Sequence, residues 1–151
     1  SFLVQITSAN HRITMGLSDN IAAVKGDVST HAMNIFVEFF KKFPQHQTVF
    51  ADYKGKDPDS LKSMPKFKTH TTKVVSKLLE VIEKSGDAGS FTSACTVLAK
   101  MPQHKGLNQQ QFSDLGVVLM PYLQKTLGGA CDSGAWEQAY NSLVSNVGPQ
   151  L

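Results

Sequence analysis

The chain contains little cysteine and almost no arginine. Its 151 residues include two cysteines, Cys95 and Cys131, which are too few for a disulfide scaffold and lack the spacing of a metal-binding pair. Both are therefore expected to be ordinary free thiols. Arg12 is the single arginine, and because arginine reads guanine edges and clamps phosphates, its scarcity argues against a nucleic-acid partner. No apolar run reaches the length of about 18 residues that predicts a membrane span.

Regular alternation of apolar and polar residues, which is typical of β-strands, is also missing. Apolar residues instead recur at helical spacing in successive segments, which predicts a single all-α domain over residues 1–151. Residues 1–7 are expected to be an N-terminal extension, and Ser1 in place of Met indicates a processed chain. The predicted helices cover about residues 8–25, 28–42, 65–84 and 90–105, with two more that begin near residues 108 and 132. Pro121 is expected to bend or end the fifth of them.

The short motifs of three common kinds of site are absent from the sequence. No GxSxG elbow provides an activated nucleophile. No HExxH motif or cysteine pair supplies zinc ligands, and no GxxxxGK[ST] loop offers a phosphate cradle. Of the five histidines, His11, His31 and His46 have no evident partner in the sequence and are expected to be surface residues.

The other two histidines, His70 and His104, fall in line with apolar helical stripes. His70 lies between Phe67 and Val74 on one stripe, and His104 lies one turn beyond Met101 on another. An all-helical protein can hold a haem between two such rings, because a neutral imidazole supplies the axial base that the iron needs. A lone inward histidine is more often a packed core residue than a ligand, so the pair gains weight only from the surrounding sequence.

The surrounding sequence resembles a globin over residues 9–147. The stretch FFKKFPQHQTVFADYKGKDPDSLKSMPKFKTHTTKVV is similar to the region that runs from the second globin helix to the distal helix. Globins have a loop phenylalanine, matched by Phe50, and a distal histidine twenty residues later, matched by His70. Val74 follows four residues after His70, and His104, in KMPQHKGL, matches the proximal histidine thirty-four residues after His70.

Two groups of invertebrate globins share further motifs with the chain. GKDPDSLK and GAWEQAYNSL resemble the extracellular haemoglobins of midge larvae, while LKSMPKF and NSLVS resemble the dehaloperoxidase globins of marine worms. The first resemblance favours an extracellular, haemolymph-like location over a cytoplasmic one. The family implies a small gaseous ligand as partner, with no nucleic acid and no membrane, and leaves monomer and homodimer both open.

The resemblance implies a globin fold of six to eight helices around haem b, with O2 as the ligand. It implies that His104 binds the iron and that His70 lies on the oxygen side, where it hydrogen-bonds the ligand. Phe50 is expected to wedge the haem, and Lys73 either reaches a haem propionate or is a solvated surface lysine, two alternatives that the resemblance leaves open. The residues expected to contact the haem are Phe36, Phe50, Phe67, His70, Lys73, Val74, Leu98, Met101, His104, Leu107 and Phe112.

Two uses of the haem remain open at this point. An oxygen carrier, for transport or storage, uses His70 to stabilise oxygen, whereas a peroxidase of dehaloperoxidase type uses it as a general acid and base on peroxide. A peroxidase benefits from a carboxylate on the proximal imidazole, yet no Asp or Glu lies within nine residues of His104. A backbone carbonyl is therefore the expected partner, which favours the carrier. Tyr53 could be a radical or substrate-contact residue, but a packing role is favoured.

Overall fold

The computed structural model describes residues 16–151, and every regular element in that range is helical. The all-α prediction is therefore confirmed for this part of the chain. The α-helices are α1 (Leu17–Lys25), α2 (Val28–Lys42), α3 (Pro44–Gln47), α4 (Pro65–Glu83), α5 (Ala88–Ala99), α6 (Gln109–Leu127) and α7 (Ser133–Val147). Short 3-10 helices cover Pro58–Ser63, Lys84–Gly86, Pro102–His104, Gly128–Ala130 and Gly148–Gln150.

Helix boundaries follow local capping signals where those signals are strong. Helix α2 has the predicted bounds, and α6 begins after Asn108, which forms a capping box with Gln111. Such a box satisfies backbone N–H groups that the first turn leaves without partners. The predicted extension 1–7, residues 8–15 of the predicted first helix, and His11 lie outside the described residues.

One predicted boundary needs correction, and of the two effects expected of Pro121, a bend or an end, the end is not observed. The segment predicted to run to residue 105 ends as an α-helix at Ala99, and the chain re-forms a 3-10 turn at Pro102, which cannot donate to a continuing ladder. Pro121 neither ends α6 nor shortens it, since the helix continues to Leu127. Leu119 and Leu123 are buried on either side of Pro121, so tertiary packing offsets the single lost hydrogen bond.

Helices α2 and α4 pack against each other and form one side of the core. Phe36, Phe39 and Phe40 of α2 are buried there, with the Phe36 and Phe40 ring centroids 5.9 Å apart in an edge-on arrangement. Full burial of one such side chain contributes about 1.5–3 kcal/mol. The paired helices therefore form a rigid support for the side chains that face inward between them.

Helices α6 and α7 approach closely at Gly116. A Cβ atom on Gly116 would lie 2.6 Å from Cε1 of Tyr140, well inside van der Waals contact. The buried Tyr140 cannot swing aside freely, because its hydroxyl donates a 2.6 Å hydrogen bond to the carbonyl oxygen of Phe112. Glycine at position 116 thus allows this helix pair to close over the core.

A buried asparagine joins α1 to the start of α7. The side-chain oxygen of Asn20 accepts hydrogen bonds from the Trp136 indole at 3.2 Å and the Asp132 backbone N–H at 2.8 Å. Its amide donates to the carbonyl oxygen of Ala130 at 2.9 Å. Because both ends of this buried amide are satisfied, it holds the two helices in register without an unpaired polar group.

The expectations about membrane spans and about the two cysteines agree with the described residues. No helix between residues 16 and 151 is long and apolar enough to cross a membrane. Cys95 and Cys131 are both free thiols, with Cys95 buried in the core and Cys131 half-buried. The interpretation of both cysteines as ordinary thiols is confirmed.

Candidate functional site

An apolar cavity lies between α2, α4, the end of α5 and α6. The empty space within it, including the part that opens to solvent, is about 920 Å³. Ten of the eleven residues predicted to contact a haem line it. The full lining is Phe36, Phe39, His46, Phe50, His70, Lys73, Val74, Lys77, Leu78, Leu98, Met101, Gln103, His104, Leu107, Gln111, Phe112 and Leu115.

His104 lies at the end of the 3-10 turn that follows α5. Nδ1 of its ring is 2.5 Å from the carbonyl oxygen of Leu98, and its ring stands edge-on to Phe112 with centroids 5.6 Å apart. A carbonyl oxygen can only accept, so Nδ1 carries the proton in this bond. The neutral ring consequently has its lone pair on Nε2. The expected backbone-carbonyl partner for His104 is therefore present in the structure.

His70 projects from α4 into the same cavity among aromatic rings. Its ring centroid lies 5.6 Å from that of Phe50 and 6.4 Å from that of Phe36. Burial, followed by the charge of His104, lowers the pKa of His70 below its ordinary value. A neutral His70 offers one N–H donor and one lone pair to its surroundings.

Tyr53 was not among the residues expected to contact the haem, and its hydrogen bond to His70 was not anticipated from the sequence. Only 3% of its surface is exposed, and its hydroxyl oxygen lies 3.0 Å from Nδ1 of His70. The expected packing role is present as well, because its ring meets Phe67 edge-on at 5.2 Å. The one sequence signal for Tyr53 is a large aromatic in an otherwise polar loop, and this signal does not identify a hydrogen-bond partner.

Phe67 is the predicted contact residue that does not line the cavity. It is fully buried, at 0% exposure, and packs against Tyr53 and Phe40. Phe67 precedes His70 by three residues on α4, a spacing that only approximates one helical turn of 3.6 residues. Its ring packs in the layer behind the cavity, and a haem contact at Phe67 stays a prediction.

His46 is buried, contrary to its predicted surface position. It is 8% exposed, its ring stacks on Phe39 with centroids 5.3 Å apart, and Nε2 lies 2.7 Å from Oδ2 of Asp114. Asp114 also accepts a 2.8 Å hydrogen bond from Gln110. Asp114 is distant from His46 in sequence, so no local pattern could have revealed the pair.

His31 also has a partner that the sequence did not suggest. It is half-buried, and its Nδ1 lies 2.7 Å from the Tyr122 hydroxyl, on a face of α2 that does not line the cavity. His31 and His46 therefore each have a side-chain partner, Tyr122 and Asp114 respectively.

The open side of the cavity carries positive charge. Lys73 is exposed and Lys77 half-buried, and both line the cavity one and two turns after His70 on α4. The remaining wall is aromatic or aliphatic, apart from a few polar side chains such as Gln103 and Gln111. The lining therefore suits a largely apolar ligand with negative groups near Lys73 and Lys77.

The sequence model of one family, described as Globin, matches residues 33–147. The chain belongs to the globin family. This globin is 32% identical to a globin of Nerita albicilla over 130 residues, which cover 83% of this chain and 82% of that protein. It is 30% identical to globin CTT-Z of Chironomus thummi piger over 137 residues, which cover 86% and 84% of the two chains.

The fold of this globin is similar to that of a solved myoglobin. A double mutant of the myoglobin from Aplysia limacina aligns with a TM-score of 0.76 at 20% identity, covering 92% of this chain and 94% of that one. The globin fold and the resemblance to midge globins are therefore confirmed. The resemblance to marine-worm dehaloperoxidases stays a prediction.

Proposed function

We propose that this globin holds haem b and binds oxygen reversibly, for transport or storage, with His104 as the iron ligand and His70 as the residue that stabilises oxygen. One observation carries the proposal: a single apolar cavity is lined by both imidazoles, and the carbonyl oxygen of Leu98 accepts the Nδ1 proton of His104. Membership of the globin family supports it, because the family implies a haem and a small gaseous ligand.

The residues that line the cavity fit a haem in their chemistry. Phe36, Phe50 and Val74 supply apolar wall, and the lining beside His104 is mostly apolar apart from Gln103 and Gln111. The haem carboxylates would lie at the open side, where Lys73 can form an ion pair with one of them. Since such a pair is exposed to solvent, we expect it to add less than about 1 kcal/mol to haem affinity.

His104 has the hydrogen bonding that an axial histidine needs. Histidines that bind metals commonly donate their other ring N–H to a carboxylate, carbonyl or water, which fixes the tautomer and the ring orientation. The Leu98 carbonyl has this role for His104. The Nε2 lone pair is then available to the iron, and the edge-on contact with Phe112 limits rotation of the ring.

His70 and its aromatic neighbours define the environment of the ligand. When bound, the ferrous haem supplies the coordination site for oxygen. His70 can donate a hydrogen bond toward that ligand, and Phe36 and Phe50 keep bulk water away from it. Exclusion of water strengthens the hydrogen bond, because the effective dielectric constant of the cavity is low.

The partner of His104 favours a carrier over a peroxidase. A carboxylate on Nδ1 would make the imidazole strongly basic, as a peroxidase requires, whereas a neutral carbonyl has a weaker effect. Asp114, the acidic residue nearest to His104 in the sequence, is instead engaged by His46 and Gln110. The geometry therefore supports reversible binding rather than peroxide cleavage.

The test is an absorption spectrum of the reduced, haem-loaded protein with and without oxygen, followed by an assay with peroxide and a halophenol. We expect a reversible spectral change with oxygen and negligible halophenol turnover. Rapid turnover together with fast oxidation of the iron by oxygen would contradict the carrier function and select the peroxidase. Failure of the chain to take up haem would contradict both.

The location and assembly of the protein are part of the same proposal. An extracellular location is supported by the similarity to the Chironomus globins and predicts that the protein is recovered from body fluid rather than from cell extracts. Monomer and homodimer are both compatible with the fold. Molar masses measured by light scattering at several protein concentrations distinguish them.

A further inference from the structure

Tyr53 and His70 form a hydrogen-bonded pair behind the cavity wall. The Tyr53 hydroxyl oxygen and Nδ1 of His70 are 3.0 Å apart, and the two ring centroids are 5.9 Å apart. Among residues 16–151, no other hydrogen bond of the Tyr53 hydroxyl or of either His70 ring nitrogen is present. The bond therefore occupies Nδ1 and leaves Nε2 as the nitrogen that is free to meet a ligand.

The direction of this hydrogen bond follows from the chemistry of the two groups. A phenol, with a pKa of about 10, is a good donor, and a neutral imidazole nitrogen, whose conjugate acid has a pKa of about 6.5, is the better acceptor. Burial raises the pKa of the Tyr53 hydroxyl further, so it keeps its proton. If Nδ1 donated instead, the hydroxyl proton would have no partner among the described residues, at a cost that buried polar groups rarely bear.

The position of Tyr53 is itself fixed by its neighbours. The Gln47 side-chain amide donates to the carbonyl oxygens of Tyr53 and Lys56, both at 2.7 Å, and the Tyr53 N–H donates to the carbonyl of Phe50 at 2.9 Å. Phe67 supports the ring from the core side. Tyr53 is thus held by hydrogen bonds to its backbone and by the burial of its ring, so its hydroxyl does not need to be ordered when a ligand arrives.

The geometry points to Tyr53 as a positioning residue for His70: its hydroxyl donates to Nδ1, holds the imidazole in the cavity, and keeps the ring proton on Nε2, where it can bond oxygen. This inference rests on the proposed function and assigns a residue to it. Tyr53 does not touch the ligand in this account, since it acts only through His70.

Nitrogen NMR of His70 gives the direct test, both in the carbon monoxide form of the haem-loaded protein and in the haem-free chain. We expect the wild-type ring to carry its proton on Nε2, with Nδ1 as a hydrogen-bonded acceptor. In Tyr53→Phe, which keeps the ring and removes only the hydroxyl, the Nδ1 signal should lose that hydrogen-bond shift. A wild-type His70 that carries its proton on Nδ1 would overturn the inference.

Oxygen dissociation rates supply a second test. Loss of one oriented hydrogen bond predicts that Tyr53→Phe raises the rate roughly three- to tenfold. Tyr122→Phe is the matched control, because it removes a similar bond, to His31 at 2.7 Å, away from the cavity, and it should leave the rate unchanged. In a His70→Ala background, Tyr53→Phe should add no further increase, whereas an equal increase there would show that Tyr53 acts independently of His70.

The two proposals fail in distinguishable ways. A chain that takes up no haem would contradict the proposed function, yet the spectrum of the haem-free protein would still report which nitrogen of His70 carries the proton. Normal oxygen binding with Nδ1 protonated would preserve the proposed function and reject the role of Tyr53.

Discussion

His70 and His104 differ in what their Nδ1 atoms contact, and this difference sets what each ring offers to the cavity. Nδ1 of His104 donates to a carbonyl oxygen, so its Nε2 has a lone pair suited to a metal. Nδ1 of His70 faces a tyrosine hydroxyl, so its Nε2 has the proton. Two chemically identical side chains therefore become an electron-pair donor and a hydrogen-bond donor.

Replacing His70 with Ala tests the donor role. We expect the oxygen dissociation rate to rise roughly tenfold or more, since a hydrogen bond to a polarised ligand contributes about 1.5 kcal/mol or more, and we expect autoxidation to accelerate. Stopped-flow mixing and the decay of the ferrous spectrum measure the two rates. His31→Ala, outside the cavity, is the control. Unchanged rates in His70→Ala would mean that His70 does not contact the ligand.

The two cysteines should differ sharply in reactivity. Burial raises the pKa of the Cys95 thiol to about 11, so at pH 8 it stays protonated and unreactive, because the thiolate is the nucleophile. Cys131 is half-buried and accessible to a small reagent. Iodoacetamide at pH 8 should therefore add one group to the native protein, at Cys131, and two to the unfolded protein. Two rapid additions to the native protein, read by mass spectrometry, would contradict the burial of Cys95.

At the scale of elements, the close crossing of α6 and α7 depends on glycine at position 116, which has no Cβ atom. A Cβ on Gly116 would overlap the Tyr140 ring, which is held by its hydrogen bond to Phe112. Overpacking of this kind costs about 1–3 kcal/mol, which exceeds the gain of up to about 1 kcal/mol in helix propensity. Gly116→Ala should therefore lower the free energy of unfolding, as measured by urea denaturation.

Gly134→Ala is the matched control for this prediction. Gly134 lies in α7, and a Cβ there would meet nothing within 4 Å. The same substitution should leave stability unchanged or raise it by up to about 1 kcal/mol. A Gly116→Ala protein as stable as Gly134→Ala would show that the two helices can separate at little cost.

Helices were predictable from the sequence where one local signal dominated. The bounds of α2 matched because its apolar stripe ends just before Pro44, and α6 begins at the capping residue Asn108. The path of α6 through Pro121 was not predictable, because buried neighbours on both sides outweigh the local penalty of proline. Local rules therefore gave elements and caps, while packing decided that α6 continues past Pro121.

At the scale of the whole molecule, the cavity could be predicted only through the match to a family pattern. The family pattern assigned His70 and His104 to one haem site. In the structure both side chains line the same cavity. The His46–Asp114 pair and the Tyr53–His70 bond were missed because their members are 68 and 17 residues apart and belong to different elements. Phe67 packs behind the cavity rather than in its lining, because a helical stripe is broad enough to face both the cavity and the core behind it.

The most direct test of the account is the visible spectrum of reduced, haem-loaded His104→Gly protein, recorded with and without added imidazole. We predict that the wild-type spectrum is lost and that imidazole restores it, because the added base replaces the missing ring. His46→Ala is the control, since His46 lines the same cavity but its Nε2 is engaged by Asp114, and it should keep the wild-type spectrum. An unchanged spectrum in His104→Gly would contradict the assignment of His104 as the iron ligand.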